Sequence, residues 1–168
     1  MSKRAYAIAA LLVVVFATQT ACGYRLAGSA ALPSVMTRTY LQAADPSTEF
    51  LVSLREALRL RGLEVVDDLS AASARIVVTE DATGQRVLSV SARNIPREYE
   101  IFYAITFGLE TRSETMIEPA SLLATRRYTF DETEVLAKSR EERILRRALA
   151  EDLARQVVRR IEAAAAGG

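Results

Sequence analysis

Cys22 is the one cysteine of a 168-residue chain that contains no histidine. A lone cysteine makes no internal disulfide and no thiolate-rich zinc site. Without histidine there is no imidazole to activate a serine, bind a metal or switch charge near neutral pH. No metal site and no cofactor are therefore expected. Paired carboxylates are the remaining catalytic pattern. Glu98 and Glu100 stand two apart, and two acids can flank a glycosidic bond. On one side of a strand at an exposed end, they are more simply solvated. The residues predict a protein that is not an enzyme.

The position of Cys22 says more than its chemistry. Lys3 and Arg4 precede an almost uninterrupted apolar run, Ala5 to Ala17, and small and polar residues come next at Thr18 to Ala21. That is the order of a secretory signal. The run is short for a membrane span of roughly 20 residues, which disfavours a retained anchor. Thr20-Ala21-Cys22 resembles a bacterial lipobox, with Gln19 where an aliphatic residue is usual. Residues 1–21 are expected to be removed and Cys22 to become a lipidated N-terminus carrying acyl chains such as palmitate. Such chains contribute about 0.8 kcal/mol per buried CH₂, enough in combination to hold a protein at a membrane. Gly23 follows the cysteine in place of the aspartate associated with inner-membrane retention, so the periplasmic side of an outer membrane is expected. Cleavage would remove two basic residues and no acid, leaving 20 basic against 21 acidic. That balance lacks the basic footprint of a nucleic-acid binder.

The elements that would carry any site are set by periodicity. Residues 22–34 hold two glycines and a proline and read as a lipidated N-terminus and tether. Val35 to Leu41 alternates as a strand, with Val35, Thr37, Thr39 and Leu41 on one side. Pro46-Ser47-Thr48-Glu49 opens a helix whose apolar face is Phe50, Leu54, Ala57 and Leu58, and Gly62 stops it. Leu63 to Val66 is a short strand. Residues 75–92 admit two readings: a hairpin turning at Asp81 to Gln85, or one long strand with a bulge there that turns at Arg93 to Pro96. Glu98 to Glu110 alternates strictly, and Ala120 to Phe130 forms another strand. Ser139 with Glu142 predicts a capped start for a last helix, whose apolar row is Leu145, Leu149, Leu153, Val157 and Ile161. The fold class is α+β, with two helices packed on one face of a mixed, mostly antiparallel sheet of about four strands. It occupies one domain over 35–162, with a frayed tail at 163–168. The opposite sheet face is expected to be uncovered, and exposed apolar sheet marks a partner or an apolar ligand.

Several short stretches share order and spacing with a known family. They are Cys22-Gly23-Tyr24-Arg25-Leu26, Leu32-Pro33, and Leu58-Arg59-Leu60-Arg61-Gly62-Leu63-Glu64-Val65. Glu98-Tyr99, Phe130-Asp131 and Leu136-Ala137-Lys138 complete the set. The chain resembles the LPS-assembly lipoproteins of the LptE family. The resemblance implies two helices on a four-stranded mixed sheet and a partner, the LptD β-barrel, whose lumen the lipoprotein plugs. It also implies binding of lipopolysaccharide during insertion into the outer leaflet, with contacts that map onto Arg93 and Lys138. Arg126 and Arg127 are further basic residues placed for such contact. The rival expectation is a generic outer-membrane lipoprotein adaptor for another envelope complex.

Overall fold

The computed structural model describes residues 32–129 and 135–166, the side chains of 135–138 excepted. Strand β1 is Arg38–Gln42, helix α1 Glu49–Arg59 and strand β2 Glu64–Val66. Three longer strands come after them, β3 Ala74–Val90, β4 Pro96–Thr111 and β5 Thr115–Thr129. Helix α2 spans Val135–Ala166. The strands form one sheet in the order β2-β1-β3-β4-β5. β1 pairs in parallel with β2 and β3, and the β3-β4-β5 meander is antiparallel. Two helices on a mixed, mostly antiparallel sheet were expected from the sequence. The sheet has five strands because the three-residue β2 pairs beyond β1.

Alternation decides which face of β4 is buried. Ile101, Tyr103, Ile105, Phe107 and Leu109 point to the helices and are buried. They meet Phe50, Leu51, Leu54 and Leu58 of α1 and Leu149, Leu153, Val157 and Ile161 of α2 in one core. A four-residue row overshoots the 3.6-residue turn, so the buried stripe of α2 widens to include Ala150, Ala154 and Val158.

Local chemistry sets most boundaries. Thr48 caps α1, its side-chain oxygen accepting from Leu51 N–H at 3.2 Å, one of the donors a helix start leaves open. Beyond its end, Gly62 takes φ 81°, a conformation that suits glycine, and Leu63 N–H reaches back to the Leu58 carbonyl. Several expected boundaries move. The first strand begins at Arg38, not Val35. A 3-10 turn over Ser34–Met36 breaks the alternation there, burying Met36 and exposing Val35. Ser139 does not start the last helix, which already runs from Val135. A Ser-x-x-Glu spacing also occurs inside helices, so the pattern alone cannot fix a cap. At the other end, α2 continues to Ala166, past the expected tail start at Ala163. Ala164 packs on the core, Arg61 pairs with Glu162, and alanine has the highest helix propensity.

The long β3 agrees with the second reading in being continuous, but Asp81 to Gln85 pair regularly and carry no bulge. It is one strand, and the chain reverses through Ser91 to Ile95, where Asn94 N–H donates to Ser91 O at 2.9 Å. Asn94 takes φ 61°, which asparagine tolerates. A first bulge lies at Thr79, between the pairs Val78–Phe107 and Glu80–Thr106, and the register shifts again on either side of Ser89. One extra residue reverses which side chains face the helices. Before it Ile76 and Val78 point inward; after it Asp81 does.

Asp81 therefore meets the start of α1. It accepts from Thr48 Oγ1 at 2.5 Å and from the Tyr103 hydroxyl at 2.8 Å, while that hydroxyl accepts from Phe50 N–H at 3.3 Å. Burial, and then the Asp81 carboxylate, push the Tyr103 phenol well above its ordinary range. A folded-state value raised above the unfolded value means stability that is present below pH about 10 and drains as the pH climbs, because the unfolded chain ionises first. Tyr103→Phe is expected to lose about 1 kcal/mol near neutral pH, for the lost hydrogen bond, and to lose less stability than the parent between pH 9 and 11. Urea unfolding across that range checks it; parallel slopes would sever Tyr103 from the alkaline loss.

Candidate ligand-binding end of the sheet

The candidate site is built by the far end of the meander. Strand register brings the β3–β4 turn and the end of β5 to one end of the sheet, and α2 is the next element in the chain. Arg93 is exposed at the tip of that turn, and Arg97 is exposed just beyond it. Lys138 is the fourth residue of α2, inside the helix and not ahead of it. Its side chain and Cys22 lie outside the described residues. Topology thus places Arg93 and the backbone of Lys138 at the same end, on different elements.

Arg126 and Arg127 go to opposite faces. Arg126 pairs with Ile101 on the helix side of the edge strand and is exposed. Arg127 pairs with Glu100 on the other side. That second face holds a cluster the sequence did not announce. Glu100 was expected to be solvated, and it is 5% exposed. Arg86 of β3 donates through Nε to Glu100 Oε1 at 2.7 Å, and Arg127 Nε stands 3.9 Å from Glu100 Oε2. Two guanidiniums flank one carboxylate, so burial of its charge is compensated. Glu98, one row nearer the tip, accepts from Ser89 Oγ at 2.7 Å. The two acids share a side as expected, but one is sealed between arginines. A burial of this kind depends on which residues lie across the strands, and only the register supplies that.

The helix-side face of the same end is aromatic. Tyr99 and Tyr128 stack with ring centroids 5.6 Å apart, and the Tyr128 hydroxyl donates to Gln85 Oε1 at 3.1 Å. Burial, then the nearby Glu142 carboxylate, raise the Tyr128 phenol. Further along this face lies a cleft of about 690 Å³, whose walls include Asp81, Tyr103, Ser139, Arg143 and Arg146. Arg146 is held by Glu142 at 2.5 Å, one helical turn away. Further along α2, Arg147, Arg155, Arg159 and Arg160 are exposed.

Two helices on one face of a mixed sheet, with no described element over the other face and arginines at its far end, define a two-layer α/β domain. The chain belongs to the LptE family: the family model described as "LptE: Lipopolysaccharide-assembly" matches residues 36–161. Among named relatives, the chain is 26% identical over 143 residues to the LPS-assembly lipoprotein LptE of Pectobacterium atrosepticum, covering 83% of this chain and 76% of that one. Among solved structures, it is similar in fold to the lipoprotein B of Nitrosomonas europaea (TM-score 0.69, 24% identity, 84% of this chain and 91% of that one). It is also similar in fold to the rare lipoprotein B of Shewanella oneidensis (TM-score 0.65, 24% identity, 75% and 94%).

Proposed function

We propose that this protein is an outer-membrane lipoprotein, anchored through Cys22, that plugs and supports an LptD-type β-barrel. In this reading it also binds lipopolysaccharide during insertion into the outer leaflet and catalyses no reaction. The observation that carries the reading is the family match, which runs through both helices and all five strands. Three further observations support it. The relative from Pectobacterium is itself called a lipoprotein of LPS assembly. Cys22 follows a short apolar run and a few small and polar residues, the order of a cleaved lipoprotein signal. Arg93 stands on an exposed turn at the end of the sheet from which α2 departs, and Lys138 belongs to the first turns of α2, where free backbone amides and the helix dipole favour anions.

Extraction of the tagged full chain in mild detergent tests the partner. A stable complex with a β-barrel of much larger mass is expected. Recovery of the chain alone, or with a different envelope complex, would replace the barrel-plug reading with that of a general adaptor. Mass spectrometry of the same preparation tests the anchor: the expected N-terminus is an acylated Cys22. An unmodified cysteine or a retained leader would remove the anchor from the proposal.

A further inference from the structure

The open face of the sheet has a distinct chemical layout near the arginine cluster. One row along from Arg86 and Glu100 stand Gly84 and Phe102. A Cβ on Gly84 would lie 2.7 Å from Phe102 Cζ, so the ring lies across the glycine and only glycine leaves it room. Ala82, Ala104 and Leu123 make the next row, and Leu123 is 62% exposed. One row further, Thr106 donates to Glu80 at 2.8 Å and shares a hydrogen bond with Ser121, which ends the apolar strip. At the near end, the Arg86 and Arg127 side chains remain 65% and 76% exposed, while the Glu100 side chain between them is 6% exposed. The carboxylate holds the guanidiniums in place from below, and the surface they present outward is cationic.

We infer that this face is a second contact surface for lipopolysaccharide, with Arg86 and Arg127 holding a phosphate of its lipid end and the Gly84–Phe102–Leu123 strip seating an acyl chain. The inference rests on the proposed function and assigns it a surface separate from Arg93 and Lys138. Guanidiniums suit phosphate because their N–H groups match its oxygens in a fixed fork. Each engages Glu100 through its Nε side, which leaves further N–H groups for an anion. Apolar rows directly beside a cationic pair fit a phosphorylated lipid better than an acidic protein loop. Such a loop would leave Phe102 and Leu123 unused. Glu98 is the opposing charge on this face, and its carboxylate limits the affinity.

The test measures binding of purified lipopolysaccharide, and of the same material after enzymatic dephosphorylation, to the full mature chain. Removing the arginines alone would strand a buried carboxylate and risk unfolding. The informative variant is therefore the triple Arg86→Gln, Glu100→Gln, Arg127→Gln, which changes net charge by one unit. It is expected to bind lipopolysaccharide about tenfold more weakly, as befits one lost charge-assisted contact, and the deficit should vanish with the dephosphorylated ligand. Leu123→Gln, at an exposed position, should weaken both ligands severalfold. Glu98→Gln should tighten binding of the phosphorylated form alone, which a purely structural role for the cluster does not predict. Parental affinity in the triple variant would overturn the inference, as would an equal deficit for both ligands. Loss of the copurifying barrel with lipid affinity intact would assign the face to a protein partner instead. If the parent chain binds no lipopolysaccharide, the proposed function itself fails.

Discussion

Replacing Phe107 with alanine is expected to destabilise the domain by about 3–5 kcal/mol, the range for emptying a fully buried aromatic position. Phe107 is 0% exposed on the central strand β4, opposite Val78 of β3 and Ala120 of β5. It sits in the cluster that both helices share. The position cannot collapse easily. The strands on either side are fixed by long antiparallel ladders, and the helices above are pinned by Leu54, Leu58, Leu149 and Leu153, all 0% exposed. A domain of this size has a total stability of roughly 5–15 kcal/mol, so the loss is a large share of the whole. Equilibrium urea unfolding reads it as a lower midpoint at unchanged slope. A change below about 1 kcal/mol would mean that the core is organised around other residues. Ala104, one strand position from Ile105 but on the open face, provides the control. Ala104→Ser should stay within about 0.5 kcal/mol.

The second large effect concerns binding and not folding. Arg93→Asp combined with Lys138→Asp is expected to lower affinity for lipopolysaccharide at least ~tenfold, because a hydrogen bond to a charged group contributes about 1.5–3 kcal/mol. Reversal also replaces attraction with repulsion, so the deficit should shrink as ionic strength rises and the Debye length falls below about 10 Å. Arg93 is exposed on a turn, and its replacement should leave the unfolding midpoint nearly unchanged. A variant that binds as the parent does would remove both residues from the ligand site and leave the open sheet face as the surface to pursue. A variant that loses binding and thermal stability together would be uninformative about contact, so the single variants Arg93→Gln and Lys138→Gln accompany it. Each is expected to lose a few-fold affinity at unchanged stability; parental affinity in both would dismiss the contacts.

Much of the fold is legible because its elements are locally periodic. The alternation of Ile101 to Leu109 fixes a half-buried strand, and the burial observed tracks it from Ile101 to Phe107, after which Gly108 is buried as well. The four-residue row of α2 names its own core contacts. The start of α1 is written in Thr48 and its end in Gly62. Other features escape because equal local patterns have unequal contexts. Ser139 and Glu142 carry the spacing of a cap yet lie within α2, since nothing in that spacing says whether the preceding residues are already helical. Val35 and Met36 exchange places because a single 3-10 turn shifts the phase of the chain entering β1. Gly84, a plausible turn residue by composition, sits mid-strand to make room for Phe102. Its cause is a side chain 18 positions away.

The candidate site divides along the same line. The sequence by itself determined the place of Cys22 after an apolar run, the absence of histidine, the amphipathic strands and helices, and the basic residues at 93, 126, 127 and 138. These are properties of a residue and its near neighbours, or of composition. Tertiary structure decided which face each arginine occupies and what it meets. Arg126 and Arg127 are adjacent in sequence and part to opposite faces, and Arg127 joins Arg86 around Glu100 across three strands. The bulge at Thr79 reverses the facing of β3 as far as Val87, which brings Asp81 to the cap of α1 and sets Arg86 on the open face. Register is a non-local quantity, and a one-residue slip moves every side chain to the other side of the sheet.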